Sequence, residues 1–121
     1  MDIKEKIKTF GDAMEATGRK QMPDFSSCPQ DMRKHFEALF KMYVIVEALN
    51  EGWIPDWNNY DERKFHPWFY MSPSSFAFHV SFYDLVFAFA GSGSRLKLRT
   101  EGLAKYCAEQ FPDIWKDIQL G

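Results

Sequence analysis

The sequence predicts an α+β domain: a three- or four-stranded antiparallel sheet with one face packed on a long central helix and a C-terminal helix. Three observations predict it. The stretch from Pro29 to Glu51 carries apolar residues at three- and four-residue steps, with Pro at its start and Gly52 just past its end. From Lys64 onward the apolar period changes to two. After Thr100 the helical period returns, with Leu103, Cys107, Phe111, Ile114 and Ile118 on one side.

In chain order, Ile3, Ile7, Phe10 and Met14 share a helical face, and Thr9 with Asp12 has the form of an N-cap followed by an acidic third position. A short helix is expected from Phe10 to Thr17, stopped by Gly18. Residues before Thr9 fit either an extended segment or one more helical turn. The segment Arg19 to Cys28, with Pro23, Asp24, Ser26 and Ser27, has loop chemistry. In the central helix Met32, Phe36, Leu39, Phe40, Tyr43, Val46 and Leu49 form one stripe, widened by Val44 and Ile45. Gly52 suits a left-handed cap that would fold Trp53 back near Ala48. The following Pro-, Asp- and Asn-rich run reads as a structured loop whose indoles, Trp53 and Trp57, lie on the core as a lid. The alternative reading of these two rings is a ligand-facing aromatic wall.

Phe65, Phe69 and Met71 alternate with His66, Trp68 and Tyr70, and Pro67 within this run suits an edge strand or a bulge. After a Ser-Pro-Ser turn, Phe76, Phe78, Val80 and Phe82 fall on one face of the clearest half-buried strand. Ala77, His79, Ser81 and Tyr83 fall on the other. The apolar run ending at Gly91 and Gly93 fits a further strand or a loop. Leu96 and Leu98 then alternate inward against Arg95, Lys97 and Arg99 outward. Pro112 should kink the last helix near Ala108 or break it in two.

One domain over residues 1–121 suits the chain length. Aromatic residues make up 17% of the sequence, so rings should dominate the core. The net charge of −2 supplies no global field for nucleic acid or anionic lipid. Cys28 and Cys107 are too few for a disulfide scaffold and fit free thiols in a reducing cytoplasm. The N-terminus lacks the apolar run of a signal peptide, and no stretch is long and apolar enough for a membrane span.

The runs Ile7-Lys8-Thr9-Phe10-x-Asp12-Ala13, Ala48-Leu49-Asn50-Glu51-Gly52-Trp53-x-Pro55-Asp56-Trp57-Asn58, Pro67-Trp68-Phe69 and Gly93-Ser94-Arg95-Leu96 resemble a family. So does the tail, with Leu103-Ala104-x-Tyr106, Gln110-Phe111 and Lys116-Asp117. The family is one of small uncharacterised proteins of gut Bacteroidetes and their phages and prophages. The resemblance spans nearly the whole chain, and the ALNEGW-x-PDWN run is its most specific part. It implies a phage or mobile-element setting in the host cytoplasm, and it carries no activity or catalytic residue. Gly11 departs from the glutamate expected there, which weakens the first helix, and Pro112 interrupts an otherwise continuous helix.

His35, His66, His79, Cys28 and Cys107 form no spacing typical of metal ligands, so no metal or other cofactor is expected. GSGS lacks the lysine and the spacing of a nucleotide loop. The constellation with most chemical content is the outer sheet face, where alternation would gather His66, Trp68, Tyr70, His79, Tyr83, Arg95, Lys97 and Arg99. Rings beside cations suit a protein partner, because Trp, Tyr and Arg dominate interface hot spots. The leading expectation is a non-enzymatic, phage-associated interaction module using that face, its partner a host or phage protein or a second copy of itself. The same face also suits weak single-stranded nucleic-acid binding, through stacking and phosphate pairing. It equally fits a solvated sheet whose Lys and Arg stems cover the rings. A third reading is a small hydrolase with acid/base groups near Asp61 and His66, drawing on Asp56, Glu62 and Asp84.

Overall fold

The longest helix, α3 (Gln30–Asn50), sets the frame on which the rest is hung. The computed structural model describes residues 2–72, 75–84 and 94–120, with the backbone alone described at positions 68, 70–72, 75, 77–80, 82–84 and 94. Pro29 stands at the N-cap of α3, and Glu51 at the C-cap has positive φ (50°), as does Gly52 after it (89°). Two successive left-handed residues reverse the chain, and the Trp53 N–H donates to the Asn50 carbonyl at 3.0 Å. The expected stripe on α3 is only partly buried. Met42, Val44, Ile45, Val46, Ala48 and Leu49 are in the core, whereas Met32 and Phe36 near the N-terminus are exposed. Neighbours surround the C-terminal half on several sides, so burial there follows tertiary packing rather than one helical face.

Before α3 lie α1 (Ile3–Lys6) and α2 (Phe10–Thr17). Thr9 caps α2 as its sequence predicts. Its hydroxyl accepts from the Asp12 N–H at 3.0 Å, and the Asp12 carboxylate accepts from Thr9 N–H at 3.1 Å and Lys8 N–H at 3.0 Å. Gly18 ends α2 in the left-handed conformation (φ 71°). The α1–α2 junction is held from the far end of the chain. Tyr106 Oη donates to the Ile7 carbonyl at 2.6 Å, and Gln110 Nε2 donates to the Lys8 carbonyl at 2.8 Å.

Strands β1 (Lys64–Ser72) and β2 (Ser75–Asp84) form an antiparallel hairpin. The expected three- or four-stranded sheet is overturned: the described residues contain a two-stranded sheet. The Arg95–Arg99 segment, expected to alternate as a strand, winds into a 3-10 turn at Ser94–Leu96 and meets β1 through one bridge, Phe65 with Leu98. The bridge is complete, with N–H to carbonyl distances of 3.0 and 2.8 Å. The next rung on that edge would need an N–H from residue 67, and Pro67 has none.

The hairpin register also departs from simple alternation. Trp68 pairs with Val80, but Phe69 pairs with Phe78, so His79 is an extra residue, a bulge. Positions 76 and 78 therefore oppose 71 and 69, while positions 80 and 82 oppose 68 and 66. Because adjacent strand positions face opposite ways, the four apolar positions of β2 do not share the single face that period-two alternation predicts. The Ser-Pro-Ser turn and the reading of 85–93 as strand or loop lie outside the described residues.

The last helix is broken in two, α4 (Glu101–Gln110) and α5 (Pro112–Leu120), with Pro112 opening the second. Trp115 of α5 is buried against Phe69, 5.4 Å between ring centroids, and Phe69 stacks on Phe76 at 4.6 Å. One face of the hairpin thus packs on α5, and α5 packs on α3.

The capping box yields a test. Thr9→Ala should cost about 1 kcal/mol in urea unfolding. Lys8 N–H, then Thr9, hold the Asp12 carboxyl below its ordinary value. A depressed folded-state pKa contributes stability that is present above the unfolded pKa and lost as pH falls through the folded one. Stability measured from neutral pH into the acid limb should therefore fall less steeply for Asp12→Asn than for wild type.

Candidate functional site

Of the expected outer sheet face, His66, Arg95, Lys97 and Arg99 are described with their side chains, and two of these four are not on the surface. His66 is 3% and Lys97 1% exposed, and Lys97 Nζ lies 2.8 Å from His66 Nδ1 in a buried contact. Alternation misplaces Lys97 because the 3-10 turn before it and the single bridge beside it leave no continuous strand. Arg95 and Arg99 are exposed, as expected. Trp68, Tyr70, His79 and Tyr83 fall within β1 and β2 by backbone, and their side chains lie outside the description. The expected open face of eight rings and cations is corrected on this point, since His66 and Lys97 belong to the interior.

Burying such groups requires partners. Asn50, at the last turn of α3, supplies a central tie. Its Nδ2 donates to the Lys97 carbonyl at 2.9 Å, and its Oδ1 accepts from Arg99 N–H at 3.0 Å. Lys64 is fully buried and donates to the Glu62 carbonyl at 3.0 Å. Its Nζ sits 5.0 Å from the centre of the Trp57 ring, so Trp57 is a lid over a cation, in line with the core-facing reading of that indole.

Arg95 takes part in a different constellation. Tyr43, Val46, Glu47 and Asn50 recur at i, i+3, i+4 and i+7 and so share one side of α3. The left-handed pair Glu51 and Gly52 turns Trp53, Ile54 and Pro55 back alongside that side. Together with Arg19 and Arg95 they enclose a groove of about 310 Å³. That is near the low end of ligand-site volumes, roughly 300–1,000 Å³.

The groove has rigid supports. Trp53 Nε1 donates to Glu62 Oε2 at 3.3 Å, and Glu62 Oε1 accepts from Asp56 N–H at 2.7 Å. Asp56 and Asn59 side chains each accept from the backbone N–H two residues on, at 3.0 Å. The loop is therefore held by its own carboxylates and amides. Ile54 at its tip is 79% exposed, an unusual position for a large aliphatic side chain.

Electrostatically the groove has one committed and one uncommitted guanidinium. Arg19 binds Glu47 through two contacts, 3.0 and 2.9 Å. Arg95 lies over the Tyr43 ring, 5.7 Å from its centre, and has no carboxylate partner among the described residues. A broader hollow of about 840 Å³ shares Arg19 and Glu47, but Lys6, Thr17 and Glu51 among its walls give it no aromatic surface.

Sequence reasoning found Arg95 and weighed Trp53 as a ligand-facing wall. It placed Tyr43 in the core stripe and passed over Asn50, Ile54 and Arg19. The available signal was the i, i+3, i+4, i+7 run on α3 leading directly into the Trp-x-Pro turn. Asn50, Trp53, Ile54 and Pro55 of the groove wall come from this one stretch, and Arg19 and Arg95 are brought to it from elsewhere in the chain.

The acid/base candidates are dispersed. Asp61 is exposed and its N–H is bound by the Asn59 side chain, whereas His66 is buried, so the two do not form one open site. Burial pushes the Cys107 thiol up to about 12, which removes it as a nucleophile near neutral pH. Among the described residues no helix is long and apolar enough to cross a membrane. No protein-family model, no curated protein and no solved structure matches the chain.

Two outcomes are expected. Asn50→Ala should destabilise the protein by roughly 1–3 kcal/mol in chemical denaturation, because a buried carbonyl and N–H lose their partner. A disulfide reagent should label Cys28 in the native protein and reach Cys107 only on unfolding, since Cys107 is fully buried and Cys28 is not.

Proposed function

We propose that this protein is a non-enzymatic interaction module that binds a short segment of a protein partner in the groove between α3 and the Trp53–Pro55 turn. The observation that carries the reading is Ile54, 79% exposed in the groove that Trp53 and Arg95 also line. Aromatic and Arg side chains with an exposed aliphatic anchor, on a backbone already fixed by hydrogen bonds, are the make-up of an interface hot spot. The contact surface is therefore this groove rather than the hairpin face. The proposed setting, a phage or prophage accessory protein acting in the cytoplasm of a bacterial host, rests on the resemblance of the Ala48–Asn58 run.

Selection from a displayed random-peptide library against the immobilised protein tests this. Enriched peptides should compete with one another and lose binding to an Ile54→Asp variant whose circular dichroism is unchanged. Enrichment that is indifferent to Ile54→Asp, or no enrichment, would remove the groove as the interaction surface.

A further inference from the structure

We infer that the groove is built for an acidic peptide segment, one in which an Asp or Glu directly adjoins an aromatic or aliphatic side chain. This rests on the interaction reading above and specifies its occupant.

The argument starts from the charge left over in the groove. Two guanidinium groups and one carboxylate line it. Arg19 and Glu47 satisfy each other through a two-point contact, which leaves one positive charge, on Arg95. That guanidinium lies over the Tyr43 ring, 5.7 Å from its centre, and is exposed, so a planar acceptor can reach its N–H donors. A carboxylate meets this geometry with two parallel N–H contacts, while an amide offers a single oxygen and no charge.

Asn50 commits its side-chain amide to the backbone of residues 97 and 99, and the rest of the lining is apolar or aromatic: Tyr43, Val46, Trp53, Ile54 and Pro55. A volume of about 310 Å³ holds one large side chain and its adjoining backbone, not an extended chain. The ligand that leaves neither part unmatched carries one negative charge within a residue of one ring or branched aliphatic group. A strongly polyanionic partner is disfavoured, because Glu47 stands in the same wall and Glu51 lies close by in the chain.

The probes are two acetylated, amidated peptides of sequence Gly-Phe-Asp-Gly and Gly-Phe-Asn-Gly, titrated into ¹⁵N-labelled full-length protein. The acidic peptide should shift the Trp53 indole, Asn50 side-chain amide and Arg95 Nε–H signals. It should bind about twofold to fivefold more tightly than the Asn peptide, the range expected for one well-placed but solvent-exposed ion pair. Arg95→Gln should abolish that difference. Arg95 is exposed, so its replacement is not expected to disturb folding, and the spectrum of the variant reports this directly.

Equal affinities for the two peptides, a preference that survives Arg95→Gln, or no response of these signals to either peptide would overturn the inference. The two readings fail separately. If displayed peptides bind through Ile54 but carry no acidic preference, the interaction reading stands and the acidic occupant falls. If no displayed peptide depends on Ile54, both fall.

Discussion

The fold depends on one buried amide. Asn50 ends α3 and at the same time holds the backbone of residues 97 and 99 through both halves of its side chain. Without that tie the backbone of the Leu96–Leu98 segment would keep one bridge to β1, and a lone bridge has no neighbouring rungs to support it. The amide is suited to the task because it carries a donor and an acceptor in fixed geometry. It reaches across to a segment that the ladder cannot continue along, since Pro67 stops the pairing one step beyond Phe65. The bulge at His79 falls midway along the hairpin, between two stretches of regular pairing.

This arrangement accounts for the polar character of the interior. Lys64, His66 and Lys97 are all buried near the base of the hairpin, and each uses its polar atoms on neighbouring groups. Such groups add little net stability compared with well-packed apolar ones, but leaving any one of them unpaired is costly. A buried polar set of this kind narrows the number of ways the hairpin can sit on the helices. The apolar part of the core is more permissive: Leu49, Met42, Ile45, Trp115 and Cys107 supply area rather than direction.

The groove is a by-product of the same constraints turned to use. The left-handed turn at Glu51 and Gly52 lets the chain leave α3 and run back beside it, and the Glu62 carboxylate fixes Trp53 and Asp56 from behind. The Asn50 tie fixes the segment that follows Arg95, whose side chain reaches the Tyr43 ring. A site whose walls are already held loses less entropy on binding than a mobile loop would. The exposed Ile54 and the singly charged rim are the features that this rigid frame leaves facing solvent.

The amino-acid sequence by itself determined the elements whose causes are local. The Thr9–Asp12 box, the Gly18 stop, the extent of α3 to within a residue at each end and the break at Pro112 all follow from contacts within a few residues. Tertiary structure alone decided which alternating residues are buried and whether a strand-like pattern becomes a strand. Arg95 to Arg99 carries the period of a strand, yet a missing N–H at Pro67, on a different element, leaves it a 3-10 turn and one bridge. Lys97 points inward where a histidine from β1 meets its ammonium group and an asparagine from α3 holds its backbone carbonyl, and neither is near it in sequence. Periodicity describes the faces a segment could offer, and the partners brought from elsewhere in the chain determine which of those faces is hidden.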